Sequence, residues 1–323
     1  MDLKKKALIV GIDAYKHPLY ELMGCVYDAQ RMYEVLSKHN DEEESPNFDC
    51  KLLTSKTDEI TRSELRAQIE NLFIHKADVA LFYFAGHGTI DRLGGYLATQ
   101  DYERYDPGIS MADVLSLANE SKIEDVIIII DCCHSGALGN LPNLRNEHAV
   151  LREGVSVLTA SRGSEQASEE TDGGGIFTSL VYEAFKGSAA DLLGQVTVAS
   201  VYAYVDQILG AWDQRPMFKL NTSRLITLRK CKPDIQRPIL RYLPKYFKTP
   251  DYEYPIDKSY EPTEEPRNRK NERIFGHLQK FRAARLLVPV GVDHMYDAAV
   301  NEKSCKLTPL GQFYWRLAKE GKI

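Results

Sequence analysis

Two stretches of the chain break from an apolar run directly into small and reactive residues: Phe82-Tyr83-Phe84-Ala85-Gly86-His87-Gly88 and Ile130-Asp131-Cys132-Cys133-His134-Ser135-Gly136. A thiol beside an imidazole is an activated nucleophile, because the histidine favours the thiolate and later protonates the leaving group. The glycines on either side of His87 let a substrate come close to the backbone. Alternation along a strand sends Asp131 and Cys133 to one face and Cys132 and His134 to the other, and it does not choose between the two cysteines. Other chemistries find less support. Three consecutive residues do not converge easily on one ion and no spaced Cys/His pair accompanies them, so no metal is assigned. A cysteine phosphatase loop would need arginine six positions after the nucleophile, where this chain has Gly139. No Walker motif and no Gly-x-Gly-x-x-Gly follows a strand, which leaves nucleotide binding without a signal.

The elements that must position these residues are short β-branched runs separated by amphipathic stretches, the alternation of a parallel sheet covered by helices. The expected strands are 7–12, 51–54, 79–84, 126–130 and 155–159, with a last one over 215–220 that carries its proline at the start. Three of them (7–12, 79–84 and 126–130) are apolar without alternation, as strands buried on both faces are. Helices are expected over 24–39, 61–72, 110–118, 177–186 and 198–209. The second opens on the capping pattern Thr61-Arg62-Ser63-Glu64 and the fourth is closed by Gly187. In open parallel sheets, sites form beyond the carboxyl ends of the strands. Sequential strands are usually neighbours, and that would bring His87 and one cysteine into one crevice.

The motifs around His87 and Cys133 resemble the catalytic pair of the metacaspases and bacterial caspase-like peptidases, within the caspase-fold cysteine proteases. The interval from 87 to 133 fits the spacing of roughly 50 residues between histidine and cysteine in caspases, although their local signature Gln-Ala-Cys-x-Gly is absent. The similarity runs from about Lys5 to Leu220. It includes Val10-Gly11-Ile12-Asp13-Ala14-Tyr15, Cys25-Val26-Tyr27-Asp28-Ala29, Thr159-Ala160-Ser161-Arg162 and Arg215-Pro216-Met217-Phe218. The resemblance implies an α/β fold with a caspase-like, mostly parallel six-stranded sheet flanked by helices. It implies Cys133 as nucleophile, His87 as general base and acid, and an oxyanion hole from the backbone N–H groups of Cys133 and Gly88. Asp28 and Asp131 match two aspartates of the S1 pocket in basic-specific members, so cleavage after Arg or Lys is expected, with a protein or peptide as substrate. An aspartate early in a helix, as Asp28 is, also serves the helix dipole, and Asp131 could equally satisfy backbone amides near its turn. Ala85 stands where metacaspases commonly have an S1 serine. No cofactor is implied, and calcium dependence is not assigned, because the acidic loop 165–172 does not match the family's calcium sites. The family also suggests a bacterial origin. The segment 137–153 reads as an exposed loop, either an ordinary surface loop, which is favoured, or, given a preference for basic P1 residues, a place where the enzyme could cut itself after Arg145 or Arg152.

Composition sets the remaining bounds. With 323 residues, 43% hydrophobic and 27% charged, the chain can bury a real core and has the length of two units. Six sparse cysteines do not make a disulfide scaffold and point to a reducing compartment. The apolar run after Lys4-Lys5-Lys6 stops at Asp13, and that after Asp125 stops at Asp131, so neither a signal peptide nor a membrane span is expected and the location reads as cytoplasmic.

The expected division is a peptidase domain over 1–231, a linker or strap over 232–266 and a small basic domain over 267–323. Seven of the fourteen prolines and five tyrosines fall in 233–266, which could pack on the first domain through its aromatics. Beyond it, helices are expected over 272–287 and 308–321, the latter opened by Thr308-Pro309. This tail resembles a winged-helix module. It holds 12 Lys/Arg against 5 Asp/Glu, a net +7, while the whole chain is −5. Such asymmetry suits contact with something acidic, a nucleic acid, a partner protein or the body of this same chain, and equally a solvated helical domain coated with Lys and Arg. With no recognition helix defined, a regulatory protein partner is favoured over nucleic acid. The alternative to a peptidase is a non-proteolytic caspase-fold adaptor that binds nucleic acid or a partner through this basic domain.

Overall fold

In the computed structural model, the described residues are 3–16, 21–74, 76–103, 105–132, 150–160, 175–209 and 216–323. By contacts they form two units, Met1–Ala190 with Gln195–Lys232, and Asp191–Gly194 with Pro233–Ile323. The first unit runs β1 (Lys5–Gly11), α1 (Cys25–Ser37), β2 (Asp49–Thr54), α2 (Arg62–Ile74), β3 (Val79–Ala85), β4 (Gly88–Ile90), β5 (Gly95–Glu103), β6 (Asp106–Ser110), α3 (Met111–Glu120), β7 (Asp125–Asp131), β8 (Val155–Thr159), α4 (Ile176–Glu183), β9 (Gln195–Val196), α5 (Val198–Leu209), β10 (Met217–Asn221) and β11 (Arg229–Lys230).

Six strands form the central sheet in the order β10-β8-β7-β3-β1-β2. Every pair is parallel except β10 with β8. The central strands β3 and β7 are buried along their whole length, as their unbroken apolar runs require. Odd and even residues then build two cores. Phe82, Phe84, Ile128 and Ile130 face α2 and α3, whereas Leu81, Tyr83, Ile127 and Ile129 face α1, α4 and α5. This is the expected mostly parallel six-stranded sheet between helices. A second, antiparallel sheet, β4-β5-β6, was not expected from the sequence, and it begins one residue after His87.

The second unit contains α6 (Arg237–Leu240), α7 (Leu243–Tyr246), β12 (Tyr254–Pro255), α8 (Arg269–Ala283), β13 (Leu287–Val290), α9 (Met295–Val300), β14 (Ser304–Leu307) and α10 (Pro309–Lys319). Its three strands lie antiparallel in the order β12-β14-β13. The stretch 233–266, read from composition as a linker or strap, belongs to this unit: Leu240, Leu243, Phe247 and Ile256 are buried in one core with Phe275, Leu278 and Phe281. The helix expected over 272–287 starts earlier, behind the Asn268 cap, and stops at Ala283. Arg285 takes φ 59° and the Leu286 N–H donates to Phe281 O at 2.8 Å, a closure that turns the chain into β13.

Candidate active site

The apolar run of β3 ends where its register pairs Ala85 with Asp131 of β7. The Gly86 N–H continues the ladder to Asp131 O at 3.2 Å, so His87 leaves the sheet beside the carboxyl end of β7. Its backbone is held on both sides. The His87 N–H donates to the Tyr15 hydroxyl at 2.8 Å, and the His87 carbonyl accepts from the Ala98 N–H at 2.9 Å. The Tyr15 ring lies 5.0 Å from the imidazole at 52°. Gly86 is required here, since a Cβ would sit 2.8 Å from the Tyr15 hydroxyl oxygen and 3.0 Å from the Phe84 ring. The imidazole is half-buried.

Cys133, the other expected member of the pair, lies outside the described residues, as do His134 and Arg145. Cys132 is described and is 2% exposed, packed in the core beneath α2 and α3. Asp131 faces the opposite side of the sheet and is also buried. There its Oδ2 accepts from the Thr178 hydroxyl at 2.6 Å, which lies 2.7 Å from the Tyr83 hydroxyl.

Asp28 reaches the same place from the first turn of α1. Its Oδ2 accepts from the Gly175 N–H at 2.8 Å, and a Cβ on Gly175 would lie 2.5 Å from Asp131 Oδ2 and 3.4 Å from Asp28 Oδ2. The two carboxylates expected to act together are therefore neighbours, bordering one glycine. Burial, reinforced by the charges of Asp131 and Asp13, pushes the Asp28 carboxyl up to about 7 against the opposing pull of the Gly175 N–H and Arg31. Among the described residues Asp28 Oδ1 is buried without a hydrogen bond, and it lies at the edge of ion-pair range of Arg31 Nη1, 3.9 Å away. Two desolvated carboxyl groups side by side have the chemistry to accept a cation that brings its own N–H donors.

Asp13 and Tyr15 complete the arrangement, and the chemistry-first reading of the sequence assigned neither a role. Asp13 accepts from the N–H groups of Cys25 at 2.8 Å and Val26 at 3.3 Å, which fixes the start of α1 and with it Asp28. Both residues follow the carboxyl end of β1, the neighbour of β3. The criterion that singled out His87, a strand end breaking into polar residues, would have found them. Burial, with Asp13, Asp131 and Asp28 nearby, raises the Cys25 thiol well above its ordinary range, so this cysteine stays protonated and is a poor nucleophile.

Of the two arginines considered for self-cleavage, Arg152 favours the ordinary-loop reading: its guanidinium donates to the carbonyls of Ala118 at 3.2 Å, Ile123 at 2.6 Å and Glu153 at 2.6 Å. A P1 arginine must be free to enter a pocket, and this one is tied to the fold. Among the described residues no cluster of His, Cys, Asp or Glu is disposed to hold a metal, and no helix is long and apolar enough to cross a membrane.

A family model described as the caspase domain matches residues 4–226. The chain belongs to the caspase-domain family. Within it the chain is 30% identical over 149 residues to metacaspase-4 of Arabidopsis thaliana, covering 42% of this chain and 34% of that protein. It is 31% identical over 159 residues to metacaspase-1 of the same plant, covering 44% and 42%. The chain thus spans well under half the length of these relatives. A crystal structure of a Geobacter sulfurreducens protein superposes with a TM-score of 0.51 at 15% identity, over 71% of this chain and all of that one, a likeness of fold. The caspase-type domain supports a cysteine peptidase.

Proposed function

We propose that the protein is a cysteine endopeptidase that cleaves after Arg or Lys with a Cys133–His87 dyad. The observation that carries the reading is the register of β3 on β7, which brings the chain to His87 and to the residue before Cys133 at adjacent strand ends. The burial of Cys132 in the core adds support, because it removes the competing thiol from the solvent side. The Cys133 thiolate attacks the scissile carbonyl carbon, and the resulting oxyanion is stabilised by the N–H groups of Cys133 and Gly88. Each such donor is worth about 2.7–4 kcal/mol in comparable sites. His87 gives its proton to the leaving amine, and water, deprotonated by the same imidazole, hydrolyses the thioester. Asp28 and Asp131 hold the P1 cation, and Asp28 Oδ1, which accepts no hydrogen bond from the described residues, supplies an acceptor.

The deciding experiment is hydrolysis of fluorogenic peptides that differ only at P1, by the wild-type chain and by Cys133→Ala and His87→Ala, with calcium added or chelated. Turnover of the Arg and Lys peptides that falls at least about a thousandfold in both variants is expected. Cleavage after Asp alone would overturn the specificity. A Cys133→Ala protein as active as wild type would overturn the dyad.

A further inference from the structure

The outward face of α8 carries one sign of charge. Arg269, Arg273, Gly276 and Lys280 recur at i, i+4, i+7 and i+11, so they form one stripe about 16 Å long at 1.5 Å per residue. The opposite side of the helix holds Phe275, Leu278 and Phe281, all buried in the core of the second unit. Arg269, Arg273 and Lys280 are exposed, and among the described residues none of the three lies in an ion pair. The single acid of the helix, Glu272, sits at the edge of the stripe and is taken by Arg267 at 3.0 Å. Lys245 continues the charge beside the helix, stacked 4.4 Å over Tyr242, whose ring lies 5.0 Å from that of His277.

Gly276 is the second observation. Glycine is the weakest helix former after proline, and a helix interior keeps it where something must come close. Among the described residues nothing does: a Cβ at Gly276 would meet no atom of theirs within 4 Å. The close approach that this position allows is therefore from outside the unit.

We infer that the second unit binds duplex DNA, with the Arg269–Arg273–Gly276–Lys280 face of α8 laid in the major groove and its side chains on phosphates. An α-helix with its side chains, about 10–12 Å across, matches a major groove of about 12 Å. The deep, narrow major groove of A-form RNA does not admit it. An acidic protein surface is disfavoured as occupant because the stripe, although it carries two arginines, has no aromatic side chain to fill a partner's pocket, and the core of a protein interface is usually depleted of charge. The inference concerns the second unit alone and does not depend on the peptidase reading.

The test uses the full-length chain with a labelled duplex of mixed sequence, followed by fluorescence anisotropy. Three phosphate contacts predict that raising salt from 50 to 200 mM weakens binding roughly fortyfold. The triple variant Arg269→Gln, Arg273→Gln, Lys280→Gln is expected to lose at least about tenfold in affinity at low salt and most of that salt dependence. Gly276→Leu leaves the charge unchanged and improves the helix. It is expected to weaken binding by blocking the approach, without lowering the thermal midpoint. Duplex RNA and polyglutamate serve as competitors and should displace the DNA poorly. The inference is overturned by absence of duplex binding at 50 mM salt, by variants that bind like wild type, or by competitors as effective as DNA, the polyglutamate case marking an acidic protein as the partner instead.

Discussion

Asp28 couples stability to pH, and on the proposed function it couples substrate binding to pH as well. Its carboxyl stands near 7 in the folded chain, chiefly through burial, against about 3.8 when exposed. A carboxyl raised on folding favours the native state while it is protonated. Its contribution is full below the unfolded value and is lost as pH rises through 7. Asp28→Asn removes the penalty, so the variant is expected to exceed wild type in stability at pH 8 by on the order of 2–4 kcal/mol and to match it near pH 4, as denaturant unfolding at the two pH values would report. The same variant should lose affinity for basic peptides, whose KM in the wild type falls between pH 6 and 8 as Asp28 ionises. An unchanged KM profile in Asp28→Asn would remove Asp28 from the substrate pocket. Tyr15 acts through His87. Tyr15→Phe leaves the His87 N–H without its acceptor, at a cost of about 1–3 kcal/mol in stability, and should lower kcat more than it raises KM. A purely structural role would leave kcat for the folded fraction unchanged. At this scale the places of His87 and Asp131 at neighbouring strand ends were legible in the sequence, whereas Asp28 was reached only through the family resemblance, since its first helical turn points equally to the helix dipole. Thr178 was not legible, because the hydrogen bond that gives it meaning reaches Asp131, 47 residues earlier in the chain.

The elements divide by how much of their signal is local. The apolar runs of β1, β3 and β7 announce themselves because both faces are buried, and the sheet order follows from them with few alternatives. The β4-β5-β6 sheet did not, since β4 and β6 are short, β5 is buried only over its first half, and Gly94-Gly95 and Pro107-Gly108 read as turns. The tail helix was overextended for the complementary reason. Its apolar pattern continues through Leu286 and Leu287, and the turn at Arg285 comes from a left-handed residue that carries no glycine to mark it. The junction of β3 with β4 is where element geometry meets chemistry, and Gly86→Ala tests it. The added methyl must displace the Tyr15 hydroxyl or the Phe84 ring, costing about 1–3 kcal/mol and moving the His87 backbone off its two anchors. Peptide turnover is expected to fall at least about tenfold while the circular dichroism of the folded protein stays that of wild type. Full activity would mean that the end of β3 tolerates a shift without consequence for the imidazole.

Among the described residues of the whole molecule, hydrophobic burial falls into separate cores: one on each face of the central sheet, sharing its strands, and one in the second unit whose buried residues are not among theirs. Cooperativity follows shared packing, so heat should unfold the two units as two transitions instead of one. Phe275 discriminates, being 1% exposed in the second core and remote in sequence from every residue of the candidate site. Phe275→Ala leaves a cavity worth about 3–5 kcal/mol. In calorimetry of the full chain that loss should lower one transition by several degrees and leave the other in place. Hydrolysis of a short Arg peptide, which needs only residues of the first unit, should persist up to the unmoved transition. Should both transitions shift together, or activity vanish at the lowered one, the two units would fold as one body, and the basic face of α8 would share the thermodynamic fate of the peptidase domain.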